Sequence, residues 1–533
     1  MKYLIQKGTL YDGTGTPAFK LDLLIADDRI AAIGANLSVP DAVPVNAEGM
    51  AVTPGFVDTH RHCDIAAAAD SDFGRIELSQ GITTAVAGNC GLAPVPSSDL
   101  YRKEVYDFIE PCLGKAPSGL KLARYRDFTG MLEKAHLKIN MGFLAATGAI
   151  KTAVKGFAKT PYAPEQMREA KGYMQEAIDE GAFGASTGIM YQPECYSTKD
   201  EHISLMEAAA KSGGILCSHI RGEGDSLTES VREVAEIAAR AQIRLNISHF
   251  KATGIKNWGE KIHQAIEYIE QARSRGQEIT VDFYPYTGGS TTLLSLIPPG
   301  VTEDTNAATI KKLATEAGKR ELKDQLYRAH PGWDNMVAAI GWERITISSL
   351  SGTKNLSFQG RTVAELAEEN GYSQPSDFIC ELIGEEEGKV GIIVHSMDQK
   401  DLDTVARLPY SAVISDSLYG GGNPHPRLFG SFPKVIREYV LERAVLTMEQ
   451  AIHKMTGMPA GRLGLKNRGR LVPGYFADIA LFDPQKLADC AVYTAPKQLS
   501  AGMEWVFVNG MPSWRGGEIL PGNGGRVLRR GDI

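Results

Sequence analysis

The chain has no uninterrupted apolar run close to the roughly 18 residues that a membrane-spanning helix needs. It also has no basic cluster that could follow a phosphate backbone, and its formal net charge is −7. Residues 1–7 show neither the apolar core nor the small-residue cleavage site of a signal peptide. These absences argue against membrane and nucleic-acid partners, and they predict a cytoplasmic protein.

Cysteine and histidine are both scarce. The 7 cysteines are scattered, odd in number and without a CxxC pair, so we expect no disulfide framework. There are only 11 histidines in 533 residues, which makes any clustering among them informative. Hydrophobic content of 43% and charged content of 23% are ordinary for a globular protein. The length suits a large α/β barrel with a second, smaller unit.

Two histidines stand at the end of a short apolar run. Pro54 and Gly55 lead into the run 56–58, and His60 and His62 follow it. A spacing of two places both side chains on one face of an extended segment. The alternative is that two polar residues simply end a buried strand. Because histidine is the commonest metal ligand, we interpret the pair as part of a metal site.

Both ends of the chain are rich in short strands broken by turns. Predicted strands lie within 3–34 and 51–53 near the start, and within 470–510 near the end. Neither set is long enough to bury a core alone, so we expect the two to pair into one β-sandwich. The predicted domains are 1–56 and 467–533 for the two halves of the sandwich, and 57–466 for the central domain.

Between the ends, apolar strands alternate with helices, of which 163–180 and 227–241 have apolar residues at helical spacing. The strand count, with 56–58 included, is about that of an eight-stranded parallel (β/α)8 barrel. A doubly wound open sheet is the alternative, but it needs a glycine-rich first βα turn, where this chain has the histidine pair. The other predicted strands are 83–87, 141–145, 184–187, 214–217, 244–247, 279–283, 391–394 and 412–414.

One interval breaks this alternation. The segment 293–352 is charged and helical, and it precedes the predicted strand at 391–394. We predict an inserted subdomain over the mouth of the barrel, of the kind that closes active sites. A solvated helical decoration is the alternative.

Several predicted barrel strands are followed by residues with metal or acid–base chemistry. Cys90 lies in a glycine-flanked turn after strand two, His219 and His249 follow strands five and six, and Asp416 follows strand eight. Barrel enzymes build their sites at these strand ends. A lone cysteine is usually a small buried hydrophobe, and either histidine alone could be a core residue. Zinc, however, needs three or four convergent donors. An aspartate is costly to bury unpaired, so Asp416 must face a metal, a cation or solvent, and we expect it to face the metal.

These residues resemble the N-acyl-D-amino-acid deacylase (D-aminoacylase) branch of the amidohydrolase superfamily, nearly from end to end. An HxH pair alone would indicate only the superfamily, whereas the cysteine of GNCG indicates the deacylase branch. The marks are PGFVDTHRH at 54–62, QGITT at 80–84, GNCG at 88–91, SHIR at 218–221, SHFK at 248–251, DFYPY at 282–286, SD at 415–416, HPR at 425–427 and GRLVPG at 469–474 with Ala477-Asp478.

The resemblance implies a zinc-dependent hydrolase that cleaves N-acyl-D-amino acids to a carboxylate and a free D-amino acid. It implies one tightly bound zinc held by Cys90, His219 and His249. It also implies a second, weaker metal position lined by His60 and His62, alongside Cys90 and Asp416. We predict Asp416 as the catalytic residue, which accepts a proton from water and passes it to the departing amine.

Four further residues match positions at which the family contacts the substrate carboxylate: Lys251, Tyr284, Ser290 and Arg427. One stretch departs from the family. Many amidohydrolases carry, after strand four, a carboxylated lysine that bridges two metal ions. We assign the end of strand four to 145–151. There the deacylases have a histidine near Thr147, and Lys151 is too far past the strand to bridge. Asp64 and His395 are the next candidates for the catalytic base.

Two alternatives stay open. The nearer is an amidohydrolase that acts on a cyclic amide of the hydantoin or dihydropyrimidine type, or on a dipeptide with a C-terminal D-residue. The more distant is a non-catalytic scaffold, against which the retained histidines, cysteine and aspartate argue. The sequence leaves open the acyl and side-chain preference and whether the small-molecule hydrolase forms a homo-oligomer.

Overall fold

The computed structural model describes residues 1–328, 330 and 332–532. Its centre is a closed barrel of eight parallel strands. Ala145–Ala146 links the third strand to the fourth, and Arg61 bridges Ser417 in parallel register between the ends of the first and eighth. The predicted barrel is confirmed, and the open-sheet alternative is wrong. The strands are Phe56–Asp58, Ile82–Ala87, Asn140–Phe143, Gly184–Gly188, Ile215–His219, Arg244–Ile247, Ile279–Phe283 and Ser411–Val413.

Helices surround the barrel and bury their apolar faces against it. Pro164–Asp179 and Leu227–Ala241 confirm the two predicted helices, and Pro164 starts the first of them where its missing N–H costs nothing. Among the described residues, no helix combines the length and the apolar character needed to cross a membrane. The remaining helices around the barrel are Ala66–Ala69, Arg75–Ser79, Arg102–Leu113, Tyr125–Lys134, Thr147–Lys155, Lys199–Lys211, Lys261–Ser274, Gln399–Arg407, Arg427–Lys434, the π-helix Val435–Glu442, Met448–Met455 and Gly457–Leu463.

The two ends of the chain form paired sheets with one shared core, as predicted. Ile5 and Ile25 from the start pack in the same cluster as Ile479 and Phe507 from the end. Residues 470–472, predicted as a strand, lie outside any strand and contribute Leu471 to this core. One sheet contains Arg29–Gly34, Asp22–Ala26, Lys2–Gln6 and Val43–Asn46, and the other contains Thr9–Leu10, Ala51–Pro54, Ile479–Phe482, Met503–Val508, Met511–Arg515 and Glu518–Ile519. The exact domain boundaries stay a prediction.

The prediction that 391–394 is a barrel strand is wrong. Gly391–Val394 lies in a separate antiparallel sheet, between Gly289–Thr292 and Ile345–Ser349. Four apolar residues in a row suit either kind of buried strand, so the pattern could not distinguish them. The insertion therefore lies between the seventh and eighth barrel strands, with its own core. Its helices are Asn306–Leu313, Glu316–Leu326, Met336–Ile340, Val363–Glu369 and Pro375–Glu385.

Candidate active site

A cavity of about 810 Å³ opens at the carboxyl ends of the barrel strands. Nine of the ten predicted site residues line it, and the tenth, His60, contacts Cys90 with Nε2 3.2 Å from Sγ. The structure thus brings together residues from both halves of the barrel. The nine are His62, Cys90, His219, His249, Lys251, Tyr284, Ser290, Asp416 and Arg427.

Two groups of potential metal donors share Cys90. In each group the donor atoms lie within 4.8 Å of one another. One group is His60, His62 and Cys90, and the other is Cys90, His219 and His249. The imidazole rings are close neighbours. The ring centroids of His60 and His249 lie 5.1 Å apart, and those of His249 and His219 lie 4.4 Å apart. Two positions for metal ions, joined at the cysteine, are therefore geometrically available.

The chemistry of these donors fits a transition-metal ion. Burial lowers the pKa of His60, His219 and His249 well below its usual value, so the rings are neutral and can act as ligands. The Nδ1 atoms of His60, His62 and His219 are buried, and no described residue is their hydrogen-bond partner. Burial also raises the pKa of the Cys90 thiol, which a bound cation would offset by favouring the thiolate. Nitrogen and sulfur donors suit zinc.

Three residues of the site adopt left-handed backbone conformations, which are uncommon outside glycine. The φ angles are 54° at Cys90, 38° at His249 and 49° at Asp416. Such conformations cost about 1–3 kcal/mol each and persist only where the surroundings enforce them. Here they turn each side chain inward directly after a barrel strand. Three of the residues that converge on the donor groups thus carry local backbone strain.

A buried polar network fixes the first barrel strand to the end of the eighth. Arg61 donates from Nη1 to Asp58 at 3.2 Å and from Nη2 to Glu77 at 2.7 Å. Asp58 also accepts from the backbone N–H of Ser415 at 3.1 Å. The backbone N–H of Asp416 in turn donates to the His60 carbonyl at 2.9 Å. The network therefore sets where His60 and Asp416 lie relative to each other.

Asp416 lies between the histidines and Arg427. Its Oδ1 is 3.4 Å from Nε2 of both His60 and His62, and its Oδ2 is 3.0 Å from Nη1 of Arg427. Burial alone would raise the pKa of this carboxyl group. The positive charge of Arg427, together with hydrogen bonding to His62, outweighs burial and holds the pKa well below its usual range. Asp416 is therefore a carboxylate beside the donor groups.

Arg427 has unused hydrogen-bonding capacity. Its side chain is only 1% exposed, and its guanidinium lies 4.6 Å from the centroid of the Tyr284 ring. The distance to Asp416 is that of an ion pair, but none of the three guanidinium nitrogens is aligned for a hydrogen bond within the described chain. A buried guanidinium with free donors is well suited to a carboxylate ligand, which it can bind through two parallel bonds.

Lys251 is already engaged, which the sequence did not suggest. Its ammonium donates to Glu223 at 2.5 Å and to the carbonyl oxygen of His249 at 3.0 Å. Glu223 lines the same cavity and was missed, although it stands four residues after His219 in the loop that follows that strand. An acid at this offset in a strand-end loop was the available signal.

Ser290 lies on Gly289–Thr292, in the sheet of the insertion, and donates to the Ile392 carbonyl at 3.1 Å. Met190 and Tyr191, which were also missed, form the cavity wall at His219. Met190 Sδ is 3.3 Å from His219 Nε2, and the Tyr191 ring is 4.7 Å from the His219 ring. They lie just past the fourth barrel strand, where a side chain can reach the site.

The stretch 145–151 follows the third barrel strand, so its assignment to the fourth is wrong. Thr147 donates to the Ser186 carbonyl at 2.9 Å, and Lys151 donates to Ser197 at 2.7 Å. Lys151 belongs to neither donor group. Asp64 accepts from the backbone N–H of Gly88 at 2.9 Å, while the His395 ring packs 4.8 Å from that of Tyr493.

A closed barrel with these donors at its strand ends, and with a sandwich built from both termini, defines an amidohydrolase. A model of the amidohydrolase family matches residues 407–512. D-aminoacylase of Alcaligenes xylosoxydans xylosoxydans is 31% identical over 527 residues, covering 99% of this chain and 97% of that protein. N-acyl-D-glutamate deacylase of the same organism is 33% identical over 531 residues, covering 97% of this chain and 96% of that protein.

A crystal structure of N-acyl-D-glutamate deacylase from Bordetella bronchiseptica, complexed with zinc and a phosphonate inhibitor that mimics the tetrahedral intermediate, is also similar. Its TM-score is 0.83 at 29% sequence identity, and the match covers 99% of each chain. The chain described here belongs to the D-aminoacylase, or N-acyl-D-amino-acid deacylase, branch of the amidohydrolase superfamily.

Proposed function

We propose that this protein is a zinc-dependent hydrolase that cleaves the linear amide of N-acyl-D-amino acids, releasing a carboxylate and a free D-amino acid. The observation that carries this proposal is the position of Asp416. One of its oxygens faces the histidines at 3.4 Å, and the other faces the buried Arg427 at 3.0 Å. A proton acceptor thus stands between a metal site and a carboxylate-binding cation.

Cys90, His219 and His249 would hold the tightly bound zinc, and His60 and His62 would line a second, weaker position with Cys90 and Asp416. The two donor groups around Cys90 support this assignment. Zinc bound there would lower the pKa of a water molecule to about 7 and polarise an amide carbonyl.

Asp416 would accept the proton of the attacking water and return it to the departing amine nitrogen. General acid–base catalysis of this kind contributes about 10²–10⁴-fold to the rate. The backbone hydrogen bond from Asp416 to His60 holds the carboxylate beside the donors without using its side-chain oxygens. Both oxygens therefore stay available for the proton and for the contact with Arg427.

Arg427 would bind the substrate carboxylate, with Tyr284, Ser290 and Lys251 around it. The unaligned guanidinium nitrogens support this role for Arg427 most directly. Lys251 contributes positive charge at the cavity wall, but Glu223 already accepts one of its hydrogen bonds. We therefore rank Arg427 first among the four as the carboxylate partner.

A second cavity, of about 570 Å³, shares Met190, Tyr191 and Trp333 with the first. Among the described residues, those that line it are apolar or neutral. Of the nearby cations, Arg221 already forms two bonds of 2.9 Å with Glu233, and Lys251 is bound by Glu223. Lys159 donates to the Thr302 carbonyl at 2.6 Å. We propose that the preferred substrates carry a neutral side chain, unlike the substrate named for the N-acyl-D-glutamate deacylases described above.

We also propose a cytoplasmic location, which the seven free thiols support. Homo-oligomerisation stays a prediction.

The test of function is hydrolysis by the zinc-loaded protein of N-acetyl-D-methionine, its L-enantiomer, a hydantoin, a dihydropyrimidine and a dipeptide with a C-terminal D-residue. Turnover mainly of the acetylated D-amino acid supports the proposal. Turnover mainly of a cyclic amide or the dipeptide, or no turnover of any substrate, would overturn it.

A further inference from the structure

Two neighbours compete for one nitrogen of His249. The Nδ1 atom lies 2.9 Å from Oε1 of Glu223 and 2.9 Å from Nζ of Lys251. The two competitors also contact each other, since Lys251 Nζ is 2.5 Å from Glu223 Oε1. All of this occurs at a ring that is only 2% exposed, so water cannot substitute for either partner.

The outcome of this competition decides whether His249 can bind a metal ion. A neutral imidazole carries one N–H, and an ammonium group can only donate. If Nδ1 accepts a hydrogen bond from Lys251, the ring proton is on Nε2, which faces Cys90 Sγ at 3.5 Å. If Nδ1 donates to Glu223 instead, the Nε2 lone pair is free for the metal.

We propose that Glu223 is a positioning residue that selects the metal-binding tautomer of His249. It accepts the Nδ1 proton, and it draws the Lys251 ammonium away from Nδ1 toward its own carboxylate and the His249 carbonyl. The inference rests on the proposed function in one respect, which is that this site holds zinc. Carboxylate partners of metal-binding histidines orient the ring and contribute about 10–100-fold to metal affinity.

The loop that carries Glu223 is fixed on both sides, as a positioning role requires. The Glu223 carbonyl accepts from the backbone N–H of Thr253 at 2.7 Å. The backbone N–H of Gly224 donates to Asp334 at 2.7 Å. On the other side of the contact, Asp282 accepts from the backbone N–H of His249. These bonds fix the backbone at both residues, so the carboxylate and the ring project from anchored positions.

The experiment measures zinc affinity by competition with a chromophoric chelator, starting from the zinc-loaded protein. The variants are Glu223→Gln, Lys251→Met and the double variant. Glu233→Gln is the matched control, because it removes a neighbouring carboxylate whose partner is Arg221. Thermal unfolding of each metal-free variant verifies that it is folded, and the isosteric Gln limits disturbance of the packing.

We expect Glu223→Gln to weaken zinc binding about 10–100-fold, because Lys251 then donates to Nδ1. Lys251→Met should change zinc affinity less than about 3-fold, and adding it to Glu223→Gln should recover at least about 3-fold of the loss, since the competing donor is gone. Zinc affinity unchanged in Glu223→Gln, or no recovery in the folded double variant, would overturn the proposal. The readout is independent of turnover, so inactivity toward N-acyl-D-amino acids would overturn only the proposed function.

Discussion

The backbone N–H of Asp416 donates to the carbonyl oxygen of His60 at 2.9 Å, which couples the end of the eighth barrel strand to the end of the first. This bond helps to place a carboxylate beside two imidazole rings without using the side-chain oxygens of Asp416. Because it is a backbone contact, substitution of the Asp416 side chain should leave the loop in place. Asp416 can therefore be tested by substitutions that separate chemistry from structure.

Asp416→Asn should lower kcat by about 10²-fold or more, because an amide keeps the size of the side chain but cannot accept the proton. The tightly bound zinc should remain, since Asp416 lies outside the group of Cys90, His219 and His249. Steady-state kinetics and metal analysis of the same preparation measure both. Near-normal kcat would move the base to Asp64, whose pKa burial raises to about 7, or to His395.

Cys90→Ala should remove zinc and activity together, because the cysteine is common to both donor groups. Metal content by plasma mass spectrometry and turnover of an N-acetyl-D-amino acid test this. Cys217→Ala is the control, since Cys217 is buried in an apolar cluster on the fifth barrel strand. If Cys90→Ala retained metal and activity, the cysteine would be a packing residue.

Arg427→Met should cost about 1.5–3 kcal/mol in kcat/KM toward N-acetyl-D-amino acids, because it removes a charge-assisted bond to the carboxylate. The loss should be much smaller on the matching carboxamides, which lack that charge. Arg221→Met serves as the control, because Arg221 lines the same cavity but is bound by Glu233. Equal losses on acids and amides for Arg427→Met would mean that the arginine acts on Asp416 or on its own loop and does not bind the substrate carboxylate.

The neutral lining of the second cavity predicts an order of substrates. kcat/KM should be at least about 10-fold higher for N-acetyl-D-methionine than for N-acetyl-D-glutamate, because a second carboxylate would be desolvated in a cavity whose described lining residues carry no charge. Initial rates on both substrates, in one buffer and at one zinc concentration, measure the ratio. A preference for the glutamate derivative would contradict this prediction.

Arg61→Met should destabilise the fold by about 3–5 kcal/mol, because it leaves the buried carboxylates of Asp58 and Glu77 without their cation. Denaturant unfolding of the metal-loaded protein measures the change. Arg75→Met, which removes an exposed ion pair with Asp72, should cost less than about 1 kcal/mol. Similar losses in the two variants would show that the Arg61 network contributes little.

The site could be predicted from sequence wherever a residue lies at the end of a barrel strand or within three residues after it. His219, His249 and Asp416 do so, and parallel strands bring their carboxyl ends to one rim, so spacing along the chain was sufficient. Glu223 could not be assigned this way. Its contact with His249 depends on the path of a loop, fixed by Thr253 and Asp334, which no periodicity records.

The fold, like the site, was predictable only where a regular pattern along the sequence determines it. Alternation of strands and helices predicted the barrel, but Gly391–Val394 is equally apolar whether it pairs in parallel or antiparallel fashion. Its partner, Gly289–Thr292, is polar by sequence, with one glycine, one serine and two threonines. Pairing between segments so far apart is decided by tertiary contacts.

The antiparallel sheet divides the cavity between two parts of the chain. The metal donors belong to the barrel and the segments that follow its strands, whereas Ser290 lies on a strand that pairs with Gly391–Val394. The wall that carries Ser290 is thus encoded apart from the metal donors and from Lys251, Tyr284 and Arg427, which all belong to the barrel segments. Exchange of residues 289–394 for the corresponding segment of another deacylase would replace one wall of the cavity and keep every donor. Such an exchange would therefore vary this wall alone, with Asp416 and Arg427 left in place.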